Sequence, residues 1–283
     1  MPAPKRPTRR LADLTDKSSI SISKSKSKSK RPKRPKRPLN PQTQEKSLIQ
    51  RVNALPLPQF AANYLPQSTA STIADLQLTL TSWAQIPASL REACVALIEL
   101  TSGSHYQDSE KGWSRSRKLR EMRHPAMKYL LLRPLPLPLT EGRDETGDPD
   151  QIAGFLSFMI TEEDGCEVVY CYELHLQPKL QGNGVGKRVM EVMEMIGDGV
   201  GVEKAMLTVF RSNERAVKAY GSWGYRTDEF TPEARKFRDG TVKEPSYVIL
   251  SKDRWEFAKV ERTHEQKNAD VPSADKEDLP ENE

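Results

Sequence analysis

Eight residues near the middle of the chain, Gln181-Gly182-Asn183-Gly184-Val185-Gly186-Lys187-Arg188, have the composition of a phosphate-binding turn. Glycines let backbone N–H groups approach a ligand closely, and a helix beginning at Val185 would add unpaired N–H groups and a positive dipole end. Together these favour a pyrophosphate. Two phosphate motifs are excluded by spacing. A P-loop needs glycine and Ser/Thr where Gln181 and Arg188 stand, and a dinucleotide fingerprint needs a third glycine where Lys187 stands. What remains is Gln181-x-x-Gly184-x-Gly186.

The elements that must hold this turn follow from periodicity. Val185, Val189, Val192/Met193 and Ile196 share one helical face, so a helix follows the glycines. Glu167–Leu176 reads as the strand before it, paired with Ile152–Thr161 across the acidic turn Glu162-Glu163-Asp164-Gly165. Lys204–Phe210 is a strand, Glu214–Ser222 a helix and Ser246–Leu250 a final strand. Upstream, Glu45–Leu55 suggests a short helix and Leu76–Thr81 a strand. Residues 88–101 suggest a helix after Pro87, 108–122 a second one, and Met127–Leu132 a strand. Residues 134–150, rich in proline, glycine and acids, read as a loop or insertion. This order indicates one α/β domain over 45–255, a mixed central sheet flanked by helices.

The chain has 283 residues and a net charge of +5, unevenly distributed. Residues 1–40 carry 14 Lys/Arg against Asp13 and Asp16, a net of +12, whereas 260–283 carry a net of −5. That leaves −2 for residues 41–259, so the basic balance belongs to the arm and not to the domain. The alternating Ser-Lys and Arg-Pro-Lys runs cannot offset chain entropy, so 1–44 is expected to be a disordered basic arm and 256–283 a disordered acidic tail. The arm reads as a nuclear-import or nucleic-acid- or ribosome-contacting segment, or as a solubilising tail. No apolar run approaches the roughly 18 residues of a membrane span, and no secretory signal is expected. Cys94, Cys166 and Cys171 suit a reducing compartment better than a disulfide framework. Cys166-x4-Cys171 lacks further ligands and His105, His124, His175 and His264 are scattered, so no metal site is expected.

Gln181-x-x-Gly184-x-Gly186 opening a helix resembles the acetyl-CoA signature of the GNAT superfamily of N-acetyltransferases. Asn213-x-x-Ala216-x-x-x-Tyr220 and Trp223-Gly224-Tyr225, after the strand Leu207-Thr208-Val209-Phe210, resemble its second motif. Within the superfamily, several segments resemble the NatD family of histone-directed N-alpha-acetyltransferases. These are Tyr170-Cys171-Tyr172-Glu173, Met206–Phe210, Tyr106-x-x-Ser109-Glu110-x-Gly112-Trp113, Arg120-Glu121-Met122 and Ser246-Tyr247-x-Ile249-Leu250. The resemblance covers about residues 70–252. It implies a GNAT acyl-CoA N-acyltransferase fold, acetyl-CoA as cofactor and a location in nucleus and cytoplasm. It also implies acetylation of the α-amine of histones four and two-A, whose chains begin Ser-Gly-Arg-Gly. A monomer is expected. Acceptors that are lysine side chains or small amines, and an inactive chromatin-binding domain, are the alternatives.

The resemblance also implies roles. Asn183, Gly184, Val185, Gly186, Lys187 and Arg188, with Gln181 and Gly182, would cradle the pyrophosphate. Backbone groups of His175, Leu176 and Gln177 would hold the acetyl carbonyl and pantetheine arm, with a main-chain N–H at the developing oxyanion. Asn213 and Tyr220 would complete the groove. Glu173, within an apolar and aromatic strand, is the candidate base, since burial raises a carboxylate pKa. Tyr170 and Tyr172 share a face opposite Glu173 in an ideal strand; a bulge or splay, as in the family, would bring all three to one cleft. Tyr172 would then contact substrate, and Tyr170 would line the cleft, steer proton transfer or simply pack. Tyr106, Trp113, Thr208 and Tyr247 match substrate-contacting positions, and Glu162, Glu163 and Asp164 would pair with the substrate arginine. Two positions depart from the family: Lys111 stands where a tryptophan is usual, and Thr161 where the acidic pair begins.

Overall fold

The computed structural model describes residues 47–66, 72–73, 75–110, 112–135 and 151–257. The expected basic arm 1–44, Lys111, most of the loop 134–150 and the acidic tail from 258 lie outside the described residues. The domain reaches Phe257, which is buried, and the neighbouring Glu256 pairs with Arg226 at 2.7 Å.

Apolar strands form the centre. β2 (Leu76–Ser82), β3 (Lys128–Pro134), β4 (Gly154–Glu163) and β5 (Cys166–Leu176) run antiparallel in that spatial order, with β1 (Thr72–Ile73) on the β2 edge. β3 and β4 are buried on both faces over most of their length. β5 then pairs in parallel with β6 (Lys204–Phe210). A parallel neighbour demands a crossover, and α5 (Val185–Val200) supplies it. β10 (Tyr247–Asp253) pairs antiparallel with β6 and carries β7 (Arg226–Thr227) at its other edge. β8 (Arg235–Lys236) and β9 (Val242–Lys243) make a separate hairpin.

Each sheet face buries one set of helices. α3 (Ala88–Gln107) and α4 (Arg115–Met122) cover one face, where Leu90, Cys94, Ile98 and Met122 pack with Tyr129, Phe155 and Met159. α1 (Leu48–Asn53), α2 (Leu57–Tyr64), α5 and α6 (Glu214–Ser222) cover the other, with Phe60, Val189, Met193 and Ile196 against Leu130, Phe158 and Val169. α2 lies where Pro56 and Pro58 obscure a helix in the sequence; proline is tolerated in a first turn because the missing N–H has no intrahelical partner there anyway. The span 108–122 is not one helix. α3 ends at Gln107, Gly112 has φ +63°, and Ser114 caps α4 by accepting from the Arg117 N–H. The acidic turn is also shorter than expected: β4 continues through Glu163, and only Asp164 and Gly165, both at positive φ, reverse the chain.

One irregularity shapes the sheet. Ser157 pairs with Glu173 and Phe158 with Cys171, so Tyr172 is an extra residue in β5. Such a bulge bends the strand that carries it and strengthens its twist. The β5–β6 ladder runs from Val168↔Lys204 to Cys171↔Leu207 and stops there. Beyond it, Tyr172–Leu176 and Thr208–Phe210 diverge without pairing, opening a gap inside the sheet. Gly154 pins the far end of β5. A Cβ there would stand 2.5 Å from Leu176 Cδ2 and 2.6 Å from the His175 carbonyl oxygen. Gly154→Ala should therefore destabilise the domain by about 1–3 kcal/mol, read as a lower urea midpoint with unchanged m-value. An unaltered midpoint would show that β5 has slack at Leu176.

Candidate active site

The bulge resets which β5 side chains share a face. Val169, Cys171, Leu174 and Leu176 belong to the α5-side core, whereas Val168 and Tyr170 face the other way. Tyr172, Glu173 and His175 join them there, towards α3 and α4. The Tyr170 and Tyr172 rings lie 5.1 Å apart. The three expected catalytic side chains thus reach one face by the extra residue that an ideal strand lacks.

Glu173 is the centre of a buried polar group and is 7% exposed. Its Oε1 accepts from Lys118 Nζ and from Tyr106 Oη at 3.1 Å, and its Oε2 meets His175 Nε2 at 2.6 Å. His175 Nδ1 lies 2.6 Å from Thr101 Oγ1 on α3. Lys118 also donates to Glu121 Oε1 at 2.7 Å and sits 5.1 Å from the Tyr106 ring centroid. The pKa expectation for Glu173 is reversed by these neighbours. Burial alone raises its pKa, but the Lys118 charge, with the His175 hydrogen bond and charge, outweighs burial and holds it at about 2. A carboxylate so fixed, with both oxygens engaged, is an ionised anchor and a weak base. Lys118 shows the complementary result. Burial lowers its pKa, but Glu173 and Glu121 raise it further, to well above the ordinary lysine value.

Nearby phenols keep their protons. Burial first, then the Glu173 charge, raises Tyr106, and burial outweighs the Thr208 hydrogen bond in raising Tyr170. Tyr170 Oη and Thr208 Oγ1 are 2.6 Å apart, across β5 and β6. Tyr106 packs edge-on to Phe210 at 4.8 Å and lies 5.3 Å from Trp113, whose Nε1 donates to Glu99 Oε1 at 3.0 Å. Tyr247 is half-buried beside Tyr170, opposite Phe210. Thr161 and, of the acids, Glu163 follow Met159 at the strand period onto the Tyr170 face, and the Glu163 charge contributes to the raised Tyr170 pKa. Glu162 follows Ile160 onto the opposite face and is exposed, so it stands apart from the tyrosines.

The gap between β5 and β6 offers backbone groups. Gln177 N donates to Ala153 O at 2.9 Å, so antiparallel alternation turns the polar groups of Leu174 and Leu176 towards the gap. The Leu176 carbonyl there also accepts from Gln181 Nε2 at 3.1 Å. Gly182 and Gly184 have φ +86° and +79°, which bends the chain directly into α5. The first intrahelical donor is Arg188 N, to Gly184 O, so the N–H groups of Val185, Gly186 and Lys187 have no acceptor among the described residues. A Cβ at Gly186 would stand 3.3 Å from Trp223 and 3.6 Å from Leu176, so glycine seats the helix terminus against the gap. Lys187 and Arg188 are exposed and lie 3.9 and 3.8 Å from Glu191. These features fit a thioester cofactor with a pyrophosphate.

Three expected ligand residues have structural partners. Asn183 Nδ2 donates to Lys179 O, Asn213 Oδ1 caps α6 by accepting from Ala216 N at 3.1 Å, and the His175 imidazole is turned to Glu173. Tyr220 packs edge-on to Trp223 at 5.3 Å, and burial followed by the Cys171 and Glu173 charges raises its pKa. Lys118, Thr101 and Phe210 were not legible as site residues. The one available sign was Lys118 three residues before Glu121. Ser157 of β4, paired with Glu173 of β5, has a buried hydroxyl without a partner among the described residues.

Comparison with known proteins places this geometry. Residues 102–225 match the model of the acetyltransferase (GNAT) family. N-alpha-acetyltransferase 40 of Saccharomyces cerevisiae is 28% identical over 161 residues, covering 47% of this chain and 50% of the relative. The chain thus spans about half the length of this curated relative. Among solved structures, the PaiA N-acetyltransferase of Thermoplasma acidophilum with coenzyme A is 16% identical, covering 63% of this chain and 98% of that one at TM-score 0.41. A GNAT family acetyltransferase of Staphylococcus aureus Mu50 is 8% identical, covering 62% and 99% at TM-score 0.43. The matched segment, the strand order and the open parallel pair together define the GNAT fold.

The Glu173 anchor should be visible in acid stability. Its folded pKa lies below the unfolded value of about 4.3, so its contribution is full above that pH and lost as the pH falls towards 2. Glu173→Gln should flatten the fall in unfolding midpoint between about pH 4.5 and 2. An identical fall in both proteins would show that Glu173 carries no such shift.

Proposed function

We infer that this chain, whose fold and matched segment are of the GNAT family, transfers the acetyl group of acetyl-CoA to the α-amine of a protein N-terminus. The acceptors are histones four and two-A, beginning Ser-Gly-Arg-Gly. One observation carries the transfer: the β5–β6 gap, towards which the Leu174 and Leu176 backbone N–H groups turn, ends beside the uncapped N-terminus of α5. Support for an α-amine comes from the Tyr106, Tyr170–Glu173 and Thr208 constellation and from the name of the yeast relative. Support for a basic third residue comes from Glu163 on the Tyr170 face and from a domain that is slightly acidic once the arm is set aside.

Acetyl-CoA, when bound, supplies an activated thioester. The chain does the rest. Val185, Gly186 and Lys187 N–H groups bind the pyrophosphate, and the Leu174 and Leu176 backbone orients the arm and gives an N–H to the developing oxyanion. An α-amine has a pKa of about 7.7–8.0, so roughly a tenth to a fifth is neutral at pH 7 and no strong base is required. That agrees with Glu173 as an anchor. Tyr172 and the Tyr106 hydroxyl, aimed by Glu173, position the amine, and Tyr220 Oη keeps a proton for the departing sulfur. The basic arm and the location in nucleus and cytoplasm are part of the same proposal and concern residues outside those described.

The purified full chain with acetyl-CoA should acetylate a Ser-Gly-Arg-Gly peptide at its α-amine, located by tandem mass spectrometry. No product, or product confined to lysine side chains of a peptide with a blocked α-amine, would overturn the reading. Tyr220→Phe should lower kcat by about 10²-fold with acetyl-CoA affinity retained; an unchanged kcat would remove Tyr220 as the proton donor.

A further inference from the structure

Lys118 has no part in the motifs that identify this domain, yet it is one of the most enclosed cations in it. It is 6% exposed, on a helix whose Arg115, Arg117 and Arg120 lie at or near the surface. Its ammonium sits between two carboxylates from different elements, Glu121 of α4 and Glu173 of β5, and against the Tyr106 ring of α3. Burying an ammonium is costly unless it is paired, and one cation meeting two acids and a π face meets that condition.

The consequence for Glu173 is geometric. Its Oε1 takes Lys118 and Tyr106 together, and its Oε2 takes His175, which is itself held by Thr101. The carboxylate therefore cannot turn towards the gap without giving up a buried partner. We propose that Lys118 is a positioning residue for the transfer: its ammonium fixes Glu173 as an ionised anchor that aims Tyr106 Oη and His175, and keeps it from meeting the incoming amine as a base. This rests on the acetyl-transfer reading above and extends it to a residue that reading does not use.

The groups that face Glu173 bound the test. On its own face they are Tyr106 of α3, Lys118 of α4 with its partner Glu121, Tyr129 of β3 and His175 of β5, while Cys171 of β5 and Tyr220 of α6 feel its charge from the α5 side. Of these, Lys118 and His175 are the groups able to offset its charge. With Lys118 removed, burial regains weight, and Glu173 protonates as the pH falls through the working range.

The experiment is the pH profile of kcat/KM for the full chain, with Lys118→Met, Lys118→Arg and the double variant Lys118→Met/Glu173→Gln. In the wild type, activity should fall about tenfold per pH unit below the amine pKa. Lys118→Met should gain a second titration on the acid side, falling about a hundredfold per unit where both groups titrate. Lys118→Arg, which keeps the charge, should restore the single slope, and the double variant should lose the extra limb. A Lys118→Met profile parallel to wild type, or an extra limb that persists in the double variant, would overturn the proposal.

Acid unfolding of the same proteins without substrate supplies a second reading. Lys118→Met should lose the steep fall between about pH 4.5 and 2 that the anchored Glu173 gives the wild type, and retention of that fall would also overturn the proposal. This arm needs no acceptor, so it separates failure of the Lys118 proposal from failure of the acetyl-transfer reading. If Lys118→Met does not fold, Lys118→Arg decides: an extra acid limb there sinks the proposal, and a single slope with a wild-type acid transition sustains it.

Discussion

Tyr172 is one residue more than β4 can pair with, and most of the candidate site depends on that surplus. Were Tyr172 paired in regular alternation, Glu173 would turn into the α5-side core behind Cys171, and the parallel ladder with β6 could continue past Cys171↔Leu207. With the bulge, Glu173 and His175 lie beneath α3 and α4, the strands part, and backbone groups that a sheet would normally consume are left facing a gap. A continuous sheet has no interior backbone donors to spare. The bulge supplies them without exposing an edge strand.

A second constraint follows from where the bulge puts its charge. A glutamate turned into a layer containing Tyr129, Phe155 and Met159 would carry a heavy desolvation cost alone. Lys118, His175 and Tyr106 offset it, and each comes from an element covering the same face or from β5 itself. The polar cluster therefore ties α3, α4 and β5 together at the point where the sheet is weakest. The geometry of the candidate site and local stability share the same hydrogen bonds, which hold Glu173 as an ionised anchor.

Much of the fold was legible because its signals are periodic or local. The heptad-like valines of α5, the paired glycines before it and the strand 167–176 stand where they are expected, and the strand expected over 152–161 is displaced by two residues to Gly154–Glu163. Two-residue strands such as β7 and β8 leave no period to detect, and α2 is obscured by prolines. The site was legible in its residue types but not in its electrostatics. Burial of Glu173 could be anticipated from its apolar neighbours; its pairing with Lys118 joins residues 55 positions apart through tertiary packing. The sign of the Glu173 shift was thus set by a partner that no spacing rule reveals. Asn183 and Asn213 were marked by a sequence motif, and the structure adds that their side chains close a turn and cap a helix.

The direct test of the account is a crystal structure of the full chain with CoA and a Ser-Gly-Arg-Gly peptide. The account predicts the pantetheine arm between β5 and β6, hydrogen-bonded to Leu174 and Leu176. It predicts the pyrophosphate on the N–H groups of Val185–Lys187 and the peptide amine on the Tyr106 and Tyr172 side, with Glu173 still held by Lys118. An arm bound elsewhere, or a closed β5–β6 gap with the cofactor present, would contradict it.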